Sequence, residues 1–256
     1  MADRVPRAAA GKPGIESLNR TKVDDRSGAR AGLGLKGQDS ALVTVYYTWI
    51  HDNLAPDREA RWLAQLSAEK RETIKRLRLV KGRAASLLGL QLLKHGMRAN
   101  GCAEFDLAAV HFPRDGKPRC DAPHCDACVD FNITHSRELV ACALASAGAV
   151  GIDTEKIREI DLNAFGRFLD TSEYAQLAGD HRRFFELWTQ KEAVVKAHGD
   201  GGIANLRAVR IDQDRGTLGS KTWSLRAVNI HPDYVTFVAT GADTSVQTTY
   251  VELADT

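Results

Sequence analysis

Twice in this chain of 256 residues a strand-like run gives way to helical periodicity and then to further strand-like runs. That doubled order limits the fold more than any single segment does, because each copy needs a sheet with helices laid against it. Residues Ala41–Ile50 (ALVTVYYTWI) are β-branched and aromatic and read as the first buried strand. Helical patterns follow from Pro56 to about Arg78 and over Gly82–Arg98, the second too broadly leucine-rich for a surface helix. Strands are expected over Phe105–Phe112, Val129–Thr134 and Leu139–Ala145. The second copy opens with a strand at Val150–Glu155 and continues with helical patterns at about 161–169, 171–178 and 181–198, the last closed by Gly199. Strands at Leu206–Asp212, Trp223–Ile230 and Val235–Thr240 complete it. The predicted class is α+β: two similar α+β halves, residues 41–148 and 149–256, related by a pseudo-twofold and forming a cleft within one monomeric chain.

Residues 1–40 stand apart. They hold six glycines, two prolines, no aromatic residue, and eight basic against five acidic side chains. Such a segment buries too little apolar surface to offset its ordering entropy, so a flexible tail is expected. No apolar run approaches the roughly 20 residues that span a bilayer, and no signal peptide opens the chain. A net charge of +2 argues against a dedicated nucleic-acid binder. Five cysteines do not suggest a secreted disulfide framework, so the expected setting is reducing and cytoplasmic.

Four segments carry groups suited to chemistry. In Gly151-Ile152-Asp153-Thr154-Glu155, residues two apart on a strand face one side, so Asp153 and Glu155 project together. Paired carboxylates suit a hard cation such as Mg²⁺ shared with a phosphate, or they are simply solvated. In Phe184–Lys196, a helix sets Trp188, Glu192 and Lys196 four apart along one face with Lys191 beside them. This is either an ordinary amphipathic helix or a further acid ligand flanked by phosphate-binding lysines. Phe131-Asn132-Ile133-Thr134-His135-Ser136 ends a strand with donors that could meet an anion or merely satisfy a turn. Seven cations lie between Lys70 and Arg83, including Arg76 and Arg78, and suggest a polyanionic ligand or an acidic partner. A nucleophile elbow G-x-S-x-G and a P-loop are both absent from the sequence.

In this order, Phe131–Ser136, Gly151–Glu155 and Trp188–Lys196 resemble the motifs of the 4'-phosphopantetheinyl transferases. The likeness is to the large surfactin-synthetase-activating (Sfp) type rather than the small trimeric holo-synthases, and it covers about residues 60–240. The resemblance implies a transferase that moves 4'-phosphopantetheine from coenzyme A to a serine of an apo carrier protein. It would depend on Mg²⁺, release 3',5'-ADP, and need neither nucleic acid nor membrane. The carrier could belong to fatty-acid, polyketide, peptide-synthetase or siderophore biosynthesis. Residue by residue, it implies Asp153 and Glu155 as metal ligands, with Glu192 as third ligand or general base; a water held by Asp153 is the other candidate base. Lys191 and Lys196 would meet coenzyme A phosphates, with Lys196 also assisting the leaving group. Thr134 and His135, helped by Lys117, would hold the 3'-phosphate, and Lys70, Arg83 and Ser86 would add further coenzyme A contacts. Thr154, between the two acids, departs from the usual apolar residue, and Thr73 from a usual lysine.

Two other readings stay open. A non-catalytic module with a degenerate transferase fold could use the basic run to bind an acidic protein or RNA. Cys120, His124, Cys125 and Cys128 offer four soft ligands within nine residues, either a zinc site or reduced thiols in a variable loop, while Cys102 and Cys142 read as ordinary buried residues.

Overall fold

The computed structural model describes residues 41–113, 116–120, 130–199, 202–241 and 244–253, all within one compact unit, Asp39–Thr256. The expected tail over residues 1–40 lies outside them, as do His124, Cys125 and Cys128 of the cysteine cluster. The fold is α+β, as the doubled pattern implied.

Strand β1 (Leu42–Trp49) leads into helices α1 (Pro56–Ala64), α2 (Ala68–Lys75) and α3 (Val80–Ala99). The long helical pattern from Pro56 to Arg78 is thus two helices. Ser67 breaks it, because its hydroxyl accepts from the Lys70 amide and caps α2. The strand expected over Phe105–Phe112 shrinks to β2 (Val110–His111), because Asp106 caps a 3₁₀ turn at Leu107–Ala109. The short β3 (Arg119–Cys120) pairs with β2. Then come β4 (Asp130–Ser136), β5 (Leu139–Ala145) and β6 (Val150–Lys156). After a 3₁₀ turn at Leu162–Phe168, α4 (Thr171–Leu177) and α5 (His181–His198) follow. A further 3₁₀ turn at Ile203–Ala208 replaces most of the expected strand 206–212, leaving β7 (Arg210–Asp212). Strands β8 (Arg215–Leu218), β9 (Lys221–Ala227), β10 (Tyr234–Thr240) and β11 (Ser245–Tyr250) close the chain.

Besides the small β2–β3 pair, two larger sheets form, in the orders β11-β1-β5-β4 and β6-β10-β9-β8-β7. Strand β11 had no expected counterpart; it returns from the end of the chain to lie parallel to β1. Its sequence, SVQTTY, is largely polar and exposed, so no apolar run announced it.

The continuous apolar run LVACALA of β5 is explained by burial on both faces. Val140, Cys142 and Leu144 join the leucines of α3 in one core, while Ala141, Ala143 and Ala145 meet Val150 and Ile152 of β6 and Val238 of β10 in a second. A third core lies beneath α5, where Trp188 packs among Phe165, Phe168 and Phe184. Cys102 is buried but disulfide-bonded, a correction to its reading as an ordinary thiol; sequence spacing alone cannot assign cysteine partners. Among the described residues no helix is long and apolar enough to cross a membrane.

Candidate functional site

Strands β4 and β6 end their respective sheets, and side chains rather than a backbone ladder join them. Alternate residues of β4 share a face, and on this strand that face reads Asp130, Asn132, Thr134, Ser136. Asp130 accepts from the Val150 amide (2.8 Å), Asn132 from Ile152 (3.0 Å) and Ser136 from Lys156 (3.1 Å). An edge strand otherwise carries unpaired amides, and leaving one buried and unpartnered costs about 1–3 kcal/mol. The polar face of β4 meets that need at alternate positions of β6.

The same face orients the acids. Ser136 donates to Glu155 Oε2 at 2.8 Å, and Thr134 donates to Asp153 Oδ1 at 3.1 Å. Arg158 reaches Glu155 at 3.2 Å. Asp153 is buried, and its Oδ2 has no hydrogen-bond partner.

Helix α5 comes to this seam because Gly151 admits it. A Cβ there would stand 2.0 Å from the Ala193 carbonyl oxygen and 2.4 Å from the Ala197 nitrogen, so any side chain would push the helix away. Asp180 caps the start of α5 through the amides of Arg182 and Arg183. The close approach sets Glu192 and Lys196 over Asp153. Lys196 Nζ lies 2.6 Å from Asp153 Oδ1 and 3.4 Å from Thr134 Oγ1.

Burial raises the Asp153 carboxyl above the usual range, against the pull of Lys196. Burial would lower the Lys196 ammonium, but Asp153 and Glu192 outweigh it and the group is held more firmly charged. Glu192 is pushed up to about 7 by burial, with Asp153 and Glu155 adding to the shift and Lys196 opposing it. The three carboxyls therefore feel one another. Among the described residues they do not yet close on a common point as a metal cage. The orphaned buried oxygen of Asp153, beside two more carboxylates, is nonetheless a donor set suited to a hard cation.

A cavity of about 920 Å³ opens between α2 and the β2 region, lined by Lys70, Thr73, Arg76, Phe112 and Pro118 among others. Lys70 Nζ sits 3.9 Å from the centre of the Phe112 ring, and burial lowers its proton affinity. A partly desolvated cation at a cavity wall suits an anionic ligand.

Sequence comparison agrees with the geometry. The profile of the 4'-phosphopantetheinyl transferase superfamily matches residues 149–249, which carry the acids and α5. The 4'-phosphopantetheinyl transferase Sfp of Bacillus subtilis (strain 168) is 31% identical over 179 residues, 66% of this chain and 77% of that protein. The chain belongs to the 4'-phosphopantetheinyl transferase family. That is a family of transferase enzymes. The relative named gsp, from Aneurinibacillus migulanus, is 32% identical over 161 residues, and there the match spans 59% of this chain and 64% of the relative. HetI of Nostoc sp. (strain PCC 7120 / SAG 25.82 / UTEX 2576) is 38% identical over 103 residues, 38% of this chain and 43% of that protein.

The family motifs divide sharply once placed in space. Asp153, Glu155, Glu192, Lys196 and Thr134 come together at the seam, and exposed His135 is close enough for Lys196 and Glu155 to act on its ring. Thr134 faces Asp153 instead of standing open to a phosphate. Lys191 lies elsewhere. It is fully buried, ion-paired to Glu173 at 2.7 Å, and donates to the carbonyls of Leu206 and Val209 (3.2 and 3.0 Å), so all three of its protons are used. Lys117 is committed to Asp130 and the Val150 carbonyl, tying its turn to the start of the seam. Arg83 pairs with Glu59 at 2.9 Å and donates to Leu77 O, and Ser86 donates to Gly82 O within α3. All four are engaged by neighbouring groups of the chain. Lys70 lines the cavity beside α2.

The sequence reading missed Asn132 and Ser136 as the acceptors that fix β6. The alternation D-x-N-x-T-x-S is the available signal, and neither an anion site nor a self-satisfied turn describes what it does. The unusual Thr154 is fully buried, where its hydroxyl meets that of Thr236 at 2.7 Å, so its polarity is compensated.

Proposed function

We propose that this chain transfers 4'-phosphopantetheine from coenzyme A to a serine of an apo carrier protein, at the seam between β4 and β6. The observation that carries the reading is Asp153: buried, with one oxygen unpartnered, set between Lys196 and two further carboxylates. Asp153, Glu155 and Glu192 would hold Mg²⁺, which when bound polarises the pyrophosphate and neutralises its charge.

The chain's own groups supply the rest. Phosphoryl transfer depends mainly on positioning and charge stabilisation. Lys196, held charged by its acidic neighbours, stabilises the phosphate that leaves as 3',5'-ADP. The serine oxygen forms a bond to phosphorus as the bond to 3',5'-ADP breaks, and the serine proton passes to Glu192, directly or through water. His135 at the mouth and Lys70 across the α2 cavity are the groups left open to the nucleotide's outer phosphates.

The test is intact mass spectrometry of apo carrier proteins incubated with the full chain, coenzyme A and Mg²⁺. A gain of one phosphopantetheine, abolished by EDTA and by Asp153→Ala, is expected. Binding of coenzyme A with no mass gain on acyl, peptidyl and aryl carriers would overturn the transferase reading.

A further inference from the structure

Asp153 and Glu155 stand two apart on β6, and each has one of its two carboxylate oxygens closed in the same way. Asp153 Oδ1 accepts from the Thr134 hydroxyl (3.1 Å) and from Lys196 Nζ (2.6 Å), while Oδ2, in the buried site, has no partner. Glu155 Oε2 accepts from the Ser136 hydroxyl (2.8 Å) and from Arg158 Nη1 (3.2 Å), while Oε1 accepts nothing from the described residues. In both acids the closed oxygen meets one hydroxyl of β4 and one cation. A carboxylate oxygen has about two lone-pair sites, so two donors fill it.

The donors on Glu155 are themselves fixed. Ser136 Oγ accepts from the Lys156 amide at 3.1 Å, so its single proton is turned toward the carboxylate. Arg158 Nη1 also donates to the Lys156 carbonyl at 2.9 Å, and the guanidinium carbon lies 4.8 Å from the centre of the Phe185 ring. A partly exposed ion pair alone holds little. Here a carbonyl of β6 and an aromatic face of α5 keep the cation in place.

We infer that Ser136 and Arg158 are positioning residues that decide which divalent cation the seam accepts. By filling Oε2 they leave Glu155 a single oxygen to offer, as Thr134 and Lys196 do for Asp153. One oxygen from each acid suits Mg²⁺, which is small and demands a near-octahedral shell. Ca²⁺ takes more oxygens and readily spans both atoms of one carboxylate, an arrangement that the filled oxygens deny it. The inference rests on the proposed metal role of these acids and adds the basis of selection between cations.

The test is isothermal titration calorimetry of the full chain, with and without coenzyme A, using Mg²⁺ and Ca²⁺ as separate probes. The ratio of their dissociation constants is the readout, because removing a positive charge strengthens both divalent ions alike. The wild type is expected to prefer Mg²⁺. Arg158→Met, which keeps an apolar stem against Phe185, is expected to reduce that preference by about tenfold, the scale on which groups behind a metal ligand act. Ser136→Ala should move it in the same direction, and thermal unfolding checks that both variants are folded. A preference unchanged in the folded variants, with both ions bound more tightly or more weakly by one factor, overturns the selection and leaves the transfer reaction standing. A reduced preference, with no mass gain on any carrier from the wild type, supports the selection and overturns the reaction. A wild type that binds both ions equally overturns the selection, and one that binds neither, even with coenzyme A, overturns both.

Discussion

Helix α5 presents two lysines five residues apart that meet opposite fates. Lys191 faces α4 and the turn at Leu206–Val209, where one carboxylate and two carbonyls consume its three protons. Lys196 faces the β4–β6 seam, where Asp153 still has an unpartnered oxygen and Glu192 titrates near 7. One face of the helix is electrostatically closed and the other is not. A charged motif residue is thus a site residue only where its surroundings leave something for a ligand to do.

The largest effect should fall on the open face. Asp153→Asn keeps the shape of the side chain and removes its charge, and it should lower turnover by roughly a thousandfold or more, with Lys196→Ala costing about 10²–10⁴. Neither should unfold the protein at neutral pH. Steady-state kinetics with thermal melts separates these outcomes; a variant that melts far earlier yet turns over normally would reverse the assignment of the faces.

On the closed face the pattern inverts. Lys191→Ala strands Glu173 beside a buried void and should cost about 3–5 kcal/mol of stability. The pair Lys191→Met with Glu173→Gln should recover much of it. Once folded, the paired variant should bind coenzyme A with an unchanged KM. A tenfold weaker KM there would return Lys191 to the phosphate site.

Sequence legibility follows the same division. The α+β order, β1, β5, β6 and α5 were readable because their periodicity reflects burial, and Asp153 and Glu155 because their spacing places them on one face of a strand; Glu192 joined them only through the family resemblance. The surroundings of Lys191 were not legible because its partners, Glu173, Leu206 and Val209, are distant in sequence, and spacing along one helix cannot reveal them. Strand β11 was missed because its support is backbone pairing to β1 rather than an apolar face. The role of Gly151 needed the helix in place, since nothing local shows that Ala193 will come so close.

A third difference between the faces is pH. A carboxyl raised from its ordinary value to about 7 keeps its proton in the folded state while the unfolded chain ionises. Stability of the metal-free protein should therefore fall as pH rises from about 4.5 to 7 and stay reduced above that, by about 3 kcal/mol. Glu192→Gln should flatten this slope, leaving only the part that the raised Asp153 carboxyl contributes, and Mg²⁺ at pH 8 should raise the melting temperature of the wild type but not of the variant. Denaturant titrations at pH 5 and pH 8 with EDTA would show it. An identical slope in the variant would mean that Glu192 ionises freely and is not held among Asp153 and Glu155.

The smallest effect tests the reverse side of the strand that carries the acids. Asp153 and Glu155 point to the seam, and Thr154 points away into the interior against Thr236. Replacing one hydroxyl leaves the other without its partner, so Thr154→Val alone should cost about 1 kcal/mol. Replacing both removes a matched pair from an apolar environment and should be nearly neutral. Activity should follow neither change by more than about twofold, because the backbone of β6 is fixed from the other side by Asp130, Asn132 and Ser136. If the single variant instead lost activity in proportion to stability, the two sides of β6 would be coupled. The acids would then owe their placement as much to the buried hydroxyl pair as to the polar face of β4.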